Sequence, residues 1–203
     1  MIFKVLNLPN ANVNSVLYWL KRCGFHGEIL DLDASEIPIE SFLIIPGVGS
    51  FDFVMENLII NEMDKKIKDH LINSGRVLSI CLGMQILFES SAEGRLEGLK
   101  IFKGKIKKLS SGDMNIPNIG WRNLKHFRGK SIPKDDRFYF MHSYCLSTKN
   151  LDDSFQDISI SCSNEQFVAY FRYKNIYCVQ FHPEKSGLSG INFFKKIVRE
   201  NES

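Results

Sequence analysis

Short, nearly unbroken apolar runs, each halted by a tight turn and followed by an amphipathic stretch, recur through the first half of the chain. IFKVLNL (2–8), SFLII (41–45) and RVLSI (76–80) are such runs, and Pro46-Gly47 and Cys81-Leu82-Gly83 stop the last two. Runs without polar alternation suit strands covered on both faces, which is the situation in a parallel sheet flanked by helices. Between them, Val13, Val16, Leu17 and Leu20 recur at helical spacing and predict a helix over 13–23. Residues 27–32 predict a second strand, residues 52–60 and 63–73 two helices, and Gly83 to Glu89 the start of another. Strand–helix alternation of this kind specifies an α/β fold with a doubly wound, mostly parallel sheet and helices on both faces.

The second half changes character. Residues 100–109 alternate, with Lys103, Lys105 and Lys107 on one face and Phe102 and Ile106 on the other. Such a lysine stripe is ordinarily a solvated strand face, with a docking surface as the alternative. Residues 137–147, 157–162, 167–173 and 176–181 predict further strands, and 188–200 a closing helix. The expectation is a β-rich extension packed on the α/β core, without a linker, so that 1–203 forms a single domain.

Bulk properties exclude several classes. The net charge of +3 is small, and no stretch joins dense Lys/Arg to stacking aromatics, which argues against a nucleic-acid partner. No apolar run approaches membrane-spanning length, and the N-terminus lacks the apolar core of a signal peptide. Five widely spaced cysteines with no C-x-x-C pair fit neither a disulfide framework nor a zinc site. A chain without metal or cofactor in a reducing cytoplasm is expected.

Each cysteine must then be judged by its surroundings. Cys81 lies where a buried strand passes into a helix, the setting of a nucleophile elbow. A helix N-terminus offers unpaired N–H groups and partial positive charge, which favour a thiolate. The Leu82 N–H would point at an oxyanion formed beside the sulfur. A lone cysteine in an apolar segment is more often plain core, so Cys81 needs partners to count.

Those partners sit at other strand ends. The run IYCVQF (176–181) terminates in His182-Pro183-Glu184. Alternation puts His182 and Glu184 on the same side, so that the carboxylate can orient an imidazole suited to move protons near neutral pH. The strand 41–45 ends in Pro46-Gly47-Val48-Gly49, a turn whose glycines expose backbone N–H groups fit for a second half of an oxyanion hole. In a doubly wound sheet the carboxyl ends of parallel strands share one edge, where ligands bind.

In this order, PGVGSFDFVMENL (46–58), ICLGMQILFESSAEG (80–94), IPNIGW (116–121), FMHSYC (140–145) and VQFHPEKSGLSGINF (179–193) resemble the class I glutamine amidotransferases, most closely the HisH group. These stretches cover most of the chain. The resemblance implies that Cys81 attacks the side-chain amide of L-glutamine, that His182 carries the proton, and that Glu184 orients it. It implies backbone groups of Gly47, Val48 and Leu82 around the oxyanion, and Gln85, Glu93, His142, Ser143 and Tyr144 around the substrate. It also implies a HisF-like synthase partner that receives ammonia for imidazole glycerol phosphate formation, with Asn12, Trp121 and Lys185 toward that partner.

The chain departs from the family pattern in two places. A segment that usually reads D-Y-G-x-G-N-L-x-S-V is here Asn7-Leu8-Pro9-Asn10-Ala11-Asn12-Val13-Asn14-Ser15-Val16, and the glycine expected two residues before the nucleophile is Ser79. The first departure leaves open a related paralogue that supplies ammonia to a sugar amidotransferase in surface-glycan assembly. A stand-alone cysteine hydrolase is a further alternative, and so is a non-catalytic scaffold protein.

Overall fold

The computed structural model describes residues 1–110, 116–128, 132, 136–151, 153–162 and 166–200. The first half runs β1 (Ile2–Leu6), α1 (Val13–Cys23), β2 (Gly27–Leu30), β3 (Ser41–Ile45), α2 (Phe51–Ile60), α3 (Met63–Ile72), β4 (Arg76–Ile80) and α4 (Leu82–Gln85). The second runs β5 (Phe88–Ser91), β6 (Phe102–Lys108), β7 (Asn118–His126), β8 (Arg137–His142), β9 (Tyr144–Cys145), β10 (Gln156–Ser161), β11 (Val168–Tyr173), β12 (Ile176–Val179) and α5 (Gly187–Arg199).

A nine-stranded sheet has the order β2-β1-β3-β4-β12-β11-β10-β7-β8. Strands β2, β1, β3, β4 and β12 are mutually parallel, as the apolar runs require. The second half does not pack on this sheet as a separate layer. It continues the sheet edge to edge in antiparallel sense through β11, β10, β7 and β8. A small sheet, β5-β6-β9, lies beside it.

Two cores cover the two faces. Helices α1 and α5 meet on one, where Phe194 lies 4.7 Å from Trp19 and 5.5 Å from Phe3 between ring centroids. Asn12 starts α1 by accepting a hydrogen bond from the Ser15 N–H (3.1 Å), and Gly24 ends it at φ 89°, a left-handed angle that glycine adopts without strain. Truncating Phe194 to alanine would cost about 3–5 kcal/mol, because ring contacts with several neighbours are lost together. The other face is covered by α2 and α3, and further along by a stack of Phe88, Phe102, Phe155 and Phe171 from the small sheet and its surroundings.

Three differences from the sequence expectation stand out. The helix expected from Gly83 to Glu89 is one turn, and residues 88–91 are strand β5. Ile86, Leu87 and Phe88 are all fully buried, which a one-sided helix cannot achieve, and the 99–102 segment satisfies their carbonyls instead. Strand β7 carries no clear alternation in sequence, because burial alternates along it but residue type does not follow: Asn118 and Leu124 are buried on one face, while Ile119 and Trp121 are exposed on the other. Strands β1 and β2 stop at Leu6 and Leu30, two residues short of the expected ends. Among the described residues, no helix is long and apolar enough to cross a membrane.

Candidate active site

Strands β1, β3, β4 and β12 deliver their carboxyl ends to one edge, and the predicted motifs meet there. Cys81 follows β4 with φ 52° and ψ −108°, a backbone state that costs on the order of 1–3 kcal/mol and persists only where the surroundings impose it. They do so: the Cys81 N–H donates to Val179 O (2.7 Å), and its carbonyl accepts from Met84 and Gln85 N–H (3.1 and 3.2 Å). The result lifts the side chain above the sheet edge, as a nucleophile elbow does. Because α4 is a single turn, it sums few peptide dipoles.

Two glycines let the neighbouring turn close on this elbow. A Cβ on Gly47 would lie 2.1 Å from Gly83 N, and one on Gly83 would lie 2.2 Å from Ile45 O. The Pro46–Gly49 turn therefore stacks against the start of α4. Gly47, Val48 and Leu82 line one cleft of about 200 Å³ together with Cys81.

His182 and Glu184 lie just beyond β12, both almost wholly buried. His182 Nδ1 is 2.8 Å from Glu184 Oε1. Nε2 is buried with no hydrogen-bond partner among the described residues. Burial opposes a charged imidazolium, but the Cys81 sulfur and the Glu184 carboxylate outweigh it and raise the His182 pKa. His182 is thereby suited to accept a proton.

Gln85, Glu93, His142, Ser143 and Tyr144 line the same cleft. Glu93 Oε2 accepts from the Phe51 N–H at the start of α2 (3.2 Å), and burial raises its pKa. Asp52 braces this corner by accepting from the N–H groups of Arg95 (2.9 Å) and Leu96 (3.0 Å). His142 is buried between a donor and an acceptor. Its Nε2 is 3.0 Å from Asn118 Nδ2, its Nδ1 is 3.0 Å from Tyr144 O, and burial pushes its pKa down to about 4. It is a neutral ring with Nδ1 donating.

Asn12, Trp121 and Lys185 lie outside the cleft. Trp121 and Lys185 converge on Tyr139: the indole packs edge-on at 6.0 Å, and the ammonium sits 5.9 Å from the ring centroid. With exposed Ile119 and Leu188 in the segments beside Trp121 and Lys185, they give this side of the site an apolar, accessible character. Asn12 is exposed at the start of α1, and α1 touches the 183–185 turn. Sequence reading singled out neither Asn118 nor Gln180. Both lie within segments that carry the family pattern, but an amide in an apolar strand end has no distinguishing spacing.

Residues 5–199 match the family described as glutamine amidotransferase class-I. The chain belongs to the class I glutamine amidotransferases. Its similarity to relatives runs nearly end to end. It is 37% identical over 198 residues to the imidazole glycerol phosphate synthase subunit HisH of Caldanaerobacter subterraneus, covering 95% of each chain. It is 33% identical over 205 residues to the HisH subunit of Nostoc punctiforme, covering 98% of this chain and 96% of that one. Among solved structures, PurLQS from Thermotoga maritima shares the fold with a TM-score of 0.76 at 18% identity, covering 98% of both chains. A glutamine amidotransferase from Thermotoga maritima does so with 0.61 at 16%, covering 100% of this chain and 85% of that one.

One departure from the family pattern has a local explanation in this amidotransferase. Asn7 Nδ2 donates to Asp31 Oδ1 at 2.8 Å, where an aspartate would set two carboxylates against each other. Ser79 is wholly buried between Ile45 and Cys178 on the adjacent strands, and its hydroxyl has no hydrogen-bond partner among the described residues. A glycine there would lose that packing.

Proposed function

We propose that this amidotransferase is the glutaminase subunit of an imidazole glycerol phosphate synthase, and that it works through a Cys81-His182-Glu184 triad. The observation that carries the triad is the buried His182 imidazole, hydrogen-bonded to Glu184 at 2.8 Å through Nδ1 while its buried Nε2 has no hydrogen-bond partner among the described residues. The near full-length likeness to HisH subunits supports the assignment to that synthase.

In this mechanism the substrate glutamine lies in the cleft, its amide carbon above Cys81 Sγ. The sulfur forms a bond to that carbon as His182 takes the thiol proton, and the carbonyl electrons move onto oxygen. Backbone N–H groups of the 47–48 turn and of Leu82 stabilise the oxyanion. When the C–N bond breaks, His182 returns the proton to the leaving nitrogen, which departs as ammonia and leaves a γ-glutamyl thioester. Water, deprotonated by His182, then attacks the thioester. The C–S bond breaks, glutamate leaves, and the sulfur regains its proton. Glu184 holds the imidazole in the tautomer and orientation both half-reactions need.

The ammonia passes to a HisF-like synthase partner docked over the Trp121, Tyr139 and Lys185 surface, giving a heterodimer. The test is glutamate release by the purified chain, alone and with a HisF-like partner and its nucleotide ligand. Release that rises with the partner and vanishes in Cys81→Ala is expected. Unchanged release in Cys81→Ala sinks the triad, and stimulation only by a sugar amidotransferase would reassign the acceptor.

A further inference from the structure

Gln180 follows β12 and is wholly buried, with its backbone N–H tied to Ala169 O at 2.9 Å. Its side chain spans two groups of the site. Nε2 lies 3.4 Å from Cys81 Sγ, and Oε1 lies 3.3 Å from Gln85 Nε2. An amide can be turned either way about its last bond, so its direction must come from its neighbours. Here a backbone carbonyl decides. Gln85 is 2.9 Å from Tyr144 O, which can only accept, so Gln85 presents its NH₂ there and to Gln180. Gln180 must then turn its oxygen to Gln85 and its N–H to the sulfur.

Tyr144 O is itself held by the neutral His142, whose Nδ1–H donates to it while Nε2 accepts from Asn118 Nδ2. Every direction in this run is fixed, from Asn118 to the sulfur. Resting on the reading of Cys81 as nucleophile, we propose that Gln180 is a dedicated hydrogen-bond donor to the Cys81 sulfur, oriented by the Gln85, Tyr144, His142 and Asn118 chain. A donor at this position stabilises negative charge on sulfur and holds Sγ in one rotamer before substrate arrives. The titratable group beside the sulfur is His182, held by Glu184, and His142 and Glu93 line the same cleft. Gln180 does not titrate, so its donor cannot be lost to pH.

The experiment uses the full chain carrying Cys162→Ser, which removes the exposed thiol and leaves Cys81 as the cysteine that lines the cleft. Alkylation of Cys81 by iodoacetamide is followed by peptide mass across a pH series. Gln180→Met keeps the volume and removes the donor. It is expected to slow alkylation at neutral pH about ten-fold, to displace the rate curve toward higher pH, and to lower glutaminase kcat by a similar factor. Gln180→Glu keeps the shape and sets a carboxylate against the sulfur, so it should slow alkylation further. A folded Gln180→Met protein that alkylates on the parent curve overturns the proposal. A readout independent of variant folding is the Gln180 side-chain amide resonance of the ¹⁵N-labelled parent. It must shift when Cys81 is alkylated, and an unmoved resonance also overturns the proposal. Full glutamine hydrolysis by Cys81→Ser would instead remove the nucleophile reading, an outcome distinct from either of these.

Discussion

Glu184 Oε1 lies 2.8 Å from His182 Nδ1, which leaves Nε2 as the ring nitrogen available to Cys81. Both residues are buried, so the carboxylate acts through a short, poorly screened contact. Glu184→Gln keeps the shape and loses the charge. It should lower kcat by about a hundred-fold or more, through loss of tautomer control and of imidazolium stabilisation. Steady-state glutamate release at saturating glutamine measures this. A kcat within a factor of two would remove Glu184 from the mechanism.

The stacking of the 46–49 turn on α4 predicts steep sensitivity at two glycines. Gly47→Ala and Gly83→Ala each drive a methyl into backbone, at 2.1 Å from Gly83 N and 2.2 Å from Ile45 O. Backbone cannot move aside as a flexible side chain can. Each substitution should cost more than about 2 kcal/mol in urea unfolding and disable glutamine turnover together. Ala at Gly49, which has open space around its Cβ but φ 111°, should cost less through clash and more through backbone strain.

His142 makes stability fall with acid. Its folded pKa is pushed down to about 4, well below the usual imidazole value of 6.5. Between those values the unfolded chain holds a proton that the folded chain does not. Stability therefore falls as pH drops from 6.5 toward 4, by on the order of 3 kcal/mol from this group. The raised His182 pKa works in the opposite sense: its contribution is complete on the acid side and is lost as pH rises through the folded value. Urea midpoints at several pH values read the acid limb, and His142→Asn should flatten it.

Asp52 supports the substrate cleft without lining it. Its carboxylate accepts from the Arg95 and Leu96 N–H groups, and Glu93 just before them accepts from Phe51. Asp52→Ala leaves those donors unpaired and loosens the 93–96 turn. A stability loss of about 1–2 kcal/mol with a raised KM for glutamine is expected. A normal KM would show that Glu93 keeps its place without this brace.

Trp121 tests the docking surface. It is 42% exposed and leans on Tyr139 at 6.0 Å, so part of its ring packs on the fold and part is open to a partner. Trp121→Ala should weaken binding of a HisF-like partner about ten-fold or more, a larger effect than its loss of stability of about 1 kcal/mol. Titration calorimetry with the partner checks the first half, and thermal melting the second.

Much of this fold was legible because parallel strands buried on both faces leave a plain signature. Ser41–Ile45 and Arg76–Ile80 came out at the predicted residues, since an apolar run stopped by a turn has few other uses. Strand β7 was not legible, because burial alternates along Asn118–His126 while residue type does not: Asn118 is buried, and Ile119 and Trp121 face outward. The stretch after Cys81 misled for a different reason. Leucine, methionine and glutamine favour a helix locally, but hydrogen bonds from the 99–102 segment and pairing with β6 drew residues 88–91 into a strand.

By itself the sequence determined the chemistry on offer: a cysteine, a histidine and a carboxylate at strand ends, with glycine where backbone must touch backbone. Residue type and local period carry that information. Tertiary structure decided which of these groups meet and in what state. The His182–Glu184 contact, the neutral His142 ring and the direction of the Gln180 amide depend on burial and on partners distant in sequence. Local order in the chain cannot encode a proton's position that a carbonyl some sixty residues away decides, as Tyr144 O does for Gln85.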